Sequence, residues 1–463
     1  MHRKLITFLL LIFTVQKQST LKSYNSYLLW PALIGLHLGF FIYGMCCGNN
    51  YLKDSSEYID QAGNILKYGT WYCGNMNSPI LPQLFSQRPP LYGLFIMLLH
   101  FISSSNLIIT FMQSLLSLFN IFIGMKIIQS YFPKTLSIRS YFSVGCLFFP
   151  SQFIYANLIM PEMLLQTAVM MSVYFMLDYF RNNKPQSLLF YQLSITASLL
   201  IKPVFIFFPL LSLVMFLILE KKIMPRLKAF LFHIIPALAI LTVSFINYQH
   251  SGYFEYSSIS RKLMINYTAR YSAAHNLGDE RALQQVDSVE SAASALPTYK
   301  EKAISIQTGA NAIIKQNANA YIFLTLKGIV NFFIDHSRYD IDSFMGTIPK
   351  EDQSGWKNNY QKEGMKGLEN YLSSINPVYY VYLLMSMLIN IVLFFGLFRF
   401  AFIKEIPFYC RLVLLTFISY IALLTGMTGS SRFRVPVFLL IVIVNMVVFS
   451  YKKNYLKMKK STV

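Results

Sequence analysis

Residues 377–398 read PVYYVYLLMSMLINIVLFFGLF, a run without one charged side chain. As a helix it would rise about 33 Å, enough to cross roughly 30 Å of hydrocarbon. Runs of the same kind recur at 27–46, 107–130, 140–158, 161–180, 187–201, 203–220, 229–247, 408–426 and 435–451. Composition agrees: the 463 residues are 55% hydrophobic and 13% charged, about half the charge of an ordinary soluble chain. The expected fold is an all-α polytopic membrane protein with about ten (eight to twelve) transmembrane helices.

The net charge of +20 is an orientation signal. With the N-terminus in the cytoplasm, the cytoplasmic segments hold 21 Lys and Arg against only Asp178, Glu220 and Glu405. They carry nearly all the excess, as the positive-inside rule requires, and they face anionic headgroups. A basic surface for nucleic acid is excluded by this distribution. Cys46, Cys47, Cys73, Cys146 and Cys410 form neither a metal pattern nor a disulfide framework, so free thiols are expected; a bond from Cys73 to Cys46 or Cys47 is the alternative.

Two segments do not fit the bilayer, and both fall on the non-cytoplasmic side. They divide the chain into an interfacial segment at 1–26, a transmembrane module at 27–247 with a first outer loop at 47–106, a large outer loop region at 248–376, and C-terminal helices with a basic cytoplasmic tail at 377–463. Within the first loop, 91–103 is apolar but too short to span. Within the second, 320–334 is apolar enough to dock on the membrane. The two loops can meet to form a chamber that faces outward.

Acids are scarce outside the long loop, so Asp54, Glu57, Asp60 and Glu162 are informative. Asp54, Tyr58 and Ala62 share one helical face by their spacing of four. Asp54 stands where a helix N-cap would, which is its plain structural alternative. Arg88, Lys202, Arg432 and Arg434 all fall at the outer membrane edge. There they either bind a phosphate or snorkel to lipid headgroups. The histidines lack metal spacing, and no Gly-rich phosphate loop is present.

The Asp54-x-x-x-Tyr58-x-x-x-Ala62 segment, followed by Arg88-Pro89-Pro90-Leu91-Tyr92, resembles the GT-C glycosyltransferases. The nearest branch is the aminoarabinose transferase and protein O-mannosyltransferase group. Asn157 to Glu162 resembles that family's second outer loop, Lys202-Pro203 its basic outer turn, and Arg432-Phe433-Arg434-Val435-Pro436 the opening of its last span. The resemblance is good over 27–220 and partial at the last span, and the loop 248–376 resembles nothing. It implies an inverting glycosyltransferase that moves a sugar from a polyprenyl-phosphate carrier to an acceptor. Asp54 would be the general base, with Tyr58, Arg88, Glu162, Lys202, Arg432 and Arg434 binding substrate.

The chain departs from the aminoarabinose branch at Glu57, where that branch has Arg, and at Gln87, where it has an acid. The second change removes a candidate ligand for a divalent metal, so no cofactor is assigned. Expected partners are the lipid-linked sugar, a glycolipid, protein or polymer acceptor, and membrane lipids. The expected location is a bacterial inner membrane with the site on its non-cytoplasmic face. An oligosaccharide ligase or polymerase, and a lipid-linked glycan transporter or flippase, remain as alternatives.

Overall fold

Proline and glycine punctuate the apolar runs, and the helices follow. The computed structural model describes residues 26–47, 49–132, 145–146, 149–220, 223–346, 365–366 and 377–461, and every regular element among them is helical. The expected interfacial segment 1–26 lies almost wholly outside the described residues, as do 140–144 of one expected span and most of 347–376.

The transmembrane module holds α1 (Ser26–Cys47), α2 (Ser55–Tyr68), α3 (Pro90–His100), α4 (Leu107–Tyr131), α5 (Pro150–Asn157), α6 (Glu162–Asn182), α7 (Pro185–Ile201), α8 (Phe208–Leu219) and α9 (Ile223–Ser251). The segment after α9 folds as α10 (Ile259–Leu263), a π-helical turn at Met264–Ala269, then α11 (Arg270–Leu277), α12 (Asp279–Ser294), α13 (Tyr299–Gln316), α14 (Ala318–Ile334) and α15 (Arg338–Met345). The C-terminal helices are α16 (Pro377–Phe402), α17 (Phe408–Thr425) and α18 (Ser431–Ser461).

Six described helices are long and apolar enough to cross a membrane: α4, α6, α16, α17 and parts of α9 and α18. The expected ten are thus not all matched by span-length helices, and the reasons are local. Pro150 opens α5 as a short helix of 8 residues. Pro203 stops α7 at 17 residues, and Pro209 restarts the chain in α8, because a proline lacks the N–H and crowds the preceding turn. The apolar part of α1, Trp30–Cys46, is also a shorter helix. The short α3 after Pro90 forms as expected, with 11 residues.

Burial ranks the spans. The apolar part of α18 is 89% buried, whereas those of α9 and α16 are 28% buried. The last span is therefore the hub, and α9 and α16 turn most of their surface to lipid. Lipid gives apolar helices little reason to associate, so polar contacts and close packing do this work. Gln166 Nε2 donates to Val435 O at 2.6 Å and Asn445 Nδ2 donates to Leu393 O at 2.9 Å. A β-carbon at Gly396 would collide with Asn445. His37 pairs with Ser117 at 2.8 Å, and Gln152 bridges Ser117 to Gln166.

The segments 47–106 and 248–346 meet. Ser258 N–H donates to Ser86 O at 3.1 Å, and Ser257 Oγ donates to Gln87 O at 3.1 Å. α14 exposes Ile322, Phe323, Leu326 and Val330 on one side and packs its Gly328 against the turn at Gly426–Gly429 on the other, where any β-carbon would strike backbone. Cys46 and Cys73 are free thiols, the first exposed and the second buried.

Glu162 and Asn182 are the two ends of α6, about 30 Å apart at 1.5 Å per residue. With the native cysteines removed, single cysteines at Ser78 and at Lys184 are expected to react with an impermeant maleimide from opposite faces of a sealed vesicle. Labelling of both from one face would overturn this topology.

Candidate active site

Six charged side chains form one continuous line of alternating sign. Lys202 Nζ meets Glu162 Oε1 at 2.8 Å, and the same oxygen receives Arg432 Nε at 2.8 Å. Arg432 Nη2 reaches Asp54 Oδ2 at 3.0 Å, while Asp54 Oδ1 faces Arg88 Nη2 at 3.2 Å. Arg88 Nε then donates to Glu57 Oε2 at 2.6 Å. Three cations and three carboxylates cancel. Such a line tolerates partial burial because each charge is paired on its polar atoms.

Separate elements deliver these groups. Asp54 stands at the N-cap position of α2, yet its carboxylate makes no capping hydrogen bond. Its oxygens go to arginines instead, so the plain capping alternative is not what this side chain does. Glu57, one turn along α2, falls on the same face by its spacing of three. Arg88 precedes Pro89-Pro90, and Pro90 takes the first position of α3, where a missing N–H costs nothing. Glu162 opens α6, Lys202 sits in the extended turn after α7, and Arg432 lies in the first turn of α18.

Exposure varies along the line. The Asp54 side chain is 29% exposed and the Arg432 side chain 23%, while Arg88 is at 11%, Lys202 at 14% and Glu162 at 0%. The line is most open at Asp54, in its middle, and closed at Glu162. Glu162 Oε2 is buried and has no protein partner. It is a charged acceptor suited to a hydroxyl or amine of a bound molecule.

Burial pushes the Asp54 carboxyl up, but the Arg88 and Arg432 guanidinia outweigh it, with help from Lys202, and hold it below the usual carboxylate range. Asp54 is therefore ionised at neutral pH. Burial raises the Tyr58 hydroxyl well above its ordinary value, so Tyr58 is neutral. Burial opposes the charge on Arg88, but the neighbouring acids keep its pKa raised.

Asp54, Arg88, Glu162, Lys202 and Arg432 thus come together. Tyr58 is buried beneath them, with Arg88 5.1 Å from its ring centroid and Tyr92 edge-on at 4.9 Å. Ala62 is buried on the same face of α2. Arg434 is not part of the line. It is 2% exposed, donates to Phe333 O and to Asp335 O (the latter at 2.7 Å), and lies 4.7 Å from the Phe149 ring. Its guanidinium satisfies carbonyls at the C-terminal end of α14, which is a packing position, not an outer-edge phosphate contact. Sequence reasoning noted Glu57 as one of the scarce acids and as a departure from a pattern, but gave it no role in the site. It passed over Phe433, whose ring centroid lies 5.8 Å from Lys202 Nζ and 5.9 Å from the Arg432 guanidinium.

Among the described residues no three His, Cys, Asp or Glu side chains converge as a metal site. Asp54, Glu57 and Glu162 face cations instead, so the residues present do not fit a metal. His275 packs against Phe323 and His336 pairs with Asp335.

Residues 87–248 match the family model described as dolichyl-phosphate-mannose-protein mannosyltransferase. The chain is thereby similar to membrane glycosyltransferases of the GT-C type over a stretch that includes Arg88, Glu162 and Lys202. Asp54 and Arg432 lie outside the matched stretch and enter through the ion pairs they make. The match points to chemistry on a lipid-linked sugar in a multi-pass membrane protein. No curated protein matches the chain.

Proposed function

We propose that this protein is an inverting glycosyltransferase that moves a sugar from a polyprenyl-phosphate carrier to an acceptor on the non-cytoplasmic side of the membrane. One observation carries the reading most: a carboxylate, Asp54, is held between two arginines at the most exposed point of the ion-pair line.

Each arginine engages its carboxylates through Nε and Nη2, which leaves further N–H donors of both guanidinia for phosphate oxygens. Guanidinium geometry suits that contact. The donor phosphate would sit across Arg88 and Arg432, with Lys202 behind them. The acceptor O–H or N–H attacks the anomeric carbon opposite the phosphate. The bond from anomeric carbon to phosphate oxygen breaks, polyprenyl phosphate leaves, and the acceptor proton passes to Asp54. Fixed cations stabilise the charge that develops on the leaving oxygen. As the arginines turn to the phosphate they withdraw charge from Asp54. Its carboxyl then becomes a stronger base at the step that needs one.

The cations of this site, Arg88, Lys202 and Arg432, lie outside segment 248–376, which favours this reading over a ligase or polymerase built around a large basic loop. The test is sugar release from a panel of polyprenyl-phosphate sugars by purified protein in the presence of membrane extract as acceptor source. Turnover of one donor is expected. A folded protein that releases sugar from none, with several extracts, would contradict the proposal.

The pH profile gives a second check. The base must be ionised, so kcat/KM falls as pH drops through the Asp54 pKa of the free enzyme. Arg88 and Arg432 place that pKa below the usual carboxylate value, which is about 3.9. The wild-type profile is therefore expected to stay flat on its acid side down to about that value. In Arg88→Gln the acid limb should move to higher pH. An acid limb unmoved by loss of Arg88 would separate Asp54 from the pH dependence.

A further inference from the structure

None of the six charges in the ion-pair line comes from segment 248–376. That segment nevertheless grips the chain just before each of Asp54's two arginine partners.

The first grip precedes Arg88. Glu255 Oε1 accepts from Ser86 Oγ at 2.8 Å and from the Tyr299 hydroxyl at 2.6 Å, and its Oε2 pairs with Arg261 Nη1 at 2.7 Å. Ser258 donates through N–H to Ser86 O at 3.1 Å and through Oγ to Gln83 O at 2.7 Å. Ser257 Oγ donates to Gln87 O at 3.1 Å. The stretch that leads into Arg88 is thus held from residue 83 to residue 87.

The second grip precedes Arg432. Asp340 is 2% exposed. It accepts from Ser431 Oγ at 2.6 Å, Ser151 Oγ at 2.5 Å and the Tyr155 hydroxyl at 2.9 Å. Asp335 Oδ2 accepts Ser431 N–H at 2.7 Å. The N–H and the hydroxyl of the residue next to Arg432 are therefore fixed by carboxylates of the long segment. α15, which carries Asp340, is itself anchored: Asn49 Nδ2 donates to Ser343 O and Phe344 O, and the Phe344 ring lies 5.4 Å from that of Tyr43.

These grips are costly to build for packing alone. Buried carboxylates need several donors each to offset desolvation, and an apolar contact would hold the loop as well. What hydrogen bonds add is direction. Two cations that stabilise a leaving phosphate act best when already aimed, with no reorganisation left to make.

We infer that segment 248–346 is a two-point clamp that sets the spacing of Arg88 and Arg432 for a lipid phosphate, with Glu255 and Asp340 as its positioning residues. The inference rests on the glycosyltransferase reading for the identity of the phosphate, but not for the clamp itself.

Ser86→Ala and Ser431→Ala test it, since each removes one hydrogen bond to a clamp carboxylate and leaves the buried acids their other donors. The probe is decaprenyl phosphate titrated into the purified full-length protein. Each variant is expected to bind about tenfold more weakly, the value of one charge-assisted hydrogen bond. The two grips have separate partners, so the double variant should lose about a hundredfold. Asn276→Ala is the control. It removes the hydrogen bond from Asn276 Nδ2 to Asn317 Oδ1 in the same segment, which involves neither grip, and should bind like wild type. Serine variants that bind like wild type, or an Asn276 variant that loses as much as they do, would overturn the clamp. Cryo-electron microscopy of the same variants gives an arm independent of binding. Displaced Arg88 or Arg432 guanidinia support the clamp, and guanidinia in their wild-type places overturn it. A wild-type protein that binds no decaprenyl phosphate, with those guanidinia displaced in the variants, would remove the functional reading and leave the clamp standing.

Discussion

Asp54→Asn is expected to lower kcat for sugar transfer by about 10²–10⁴-fold, the usual worth of a general base, while donor binding is kept or tightened. The second half of that statement carries the argument. Asp54 is the carboxylate shared by Arg88 and Arg432, at 3.2 and 3.0 Å. The amide keeps the volume but removes the negative charge, so the balanced line gains a net positive charge. Both arginines then lose a competitor for the donor phosphate. A residue that served only to hold the arginines would show the opposite pattern, with donor KM rising as strongly as kcat falls. Steady-state kinetics with varied donor, beside a melting curve for each protein, separates the two. A variant with kcat within a few-fold of wild type would take Asp54 out of the base role.

Arg432→Ala is expected to lower kcat/KM by roughly 10²–10³-fold and to reduce thermal stability. Arg432 touches both Asp54 and Glu162. Its removal leaves Glu162, fully buried, with Lys202 alone. Breaking a buried pair from one side costs about 3–5 kcal/mol of stability, and losing one fixed donor to the charge on the leaving group costs about 10²–10³-fold in rate. Arg432→Lys should fall between alanine and wild type. One ammonium cannot hold two carboxylates through separate nitrogens as a guanidinium does. Lost stability with kcat/KM within about threefold of wild type would mark Arg432 as a packing residue only; that factor is about 0.7 kcal/mol.

Much of this site is legible in the amino-acid sequence because its chemistry lies at element ends. Asp54, Arg88, Glu162 and Lys202 each stand where an apolar run stops or starts, and charge at such places in a membrane chain has few reasons to exist. Arg434 shows where that logic fails. It lies two positions from Arg432 on the same helix, and residues two apart point to different sides. One reaches Asp54 and the other the carbonyls at the end of α14. Glu57 was legible by the same rule, being three positions from Asp54 and therefore on its face.

Asp335, Asp340 and Glu255 were not legible. Each takes its meaning from a partner remote in the chain, Ser431 or Ser86, and nothing in the local pattern of 248–376 marks them. Among the described residues six span-length helices stand beside the ten expected spans, and prolines account for part of the difference. Hydropathy averages over prolines, while the backbone does not: Pro150 and Pro203 cut apolar runs into the short helices α5 and α7.

The central claim is that a lipid phosphate sits against Arg88 and Arg432 and frees Asp54 to act. A cryo-electron-microscopy map of the full-length protein with bound decaprenyl phosphate tests it most directly. The account predicts phosphate density within hydrogen-bonding reach of both guanidinia, with at least one Asp54 ion pair opened. Phosphate density elsewhere on the molecule, with the line from Lys202 to Glu57 intact, would contradict it.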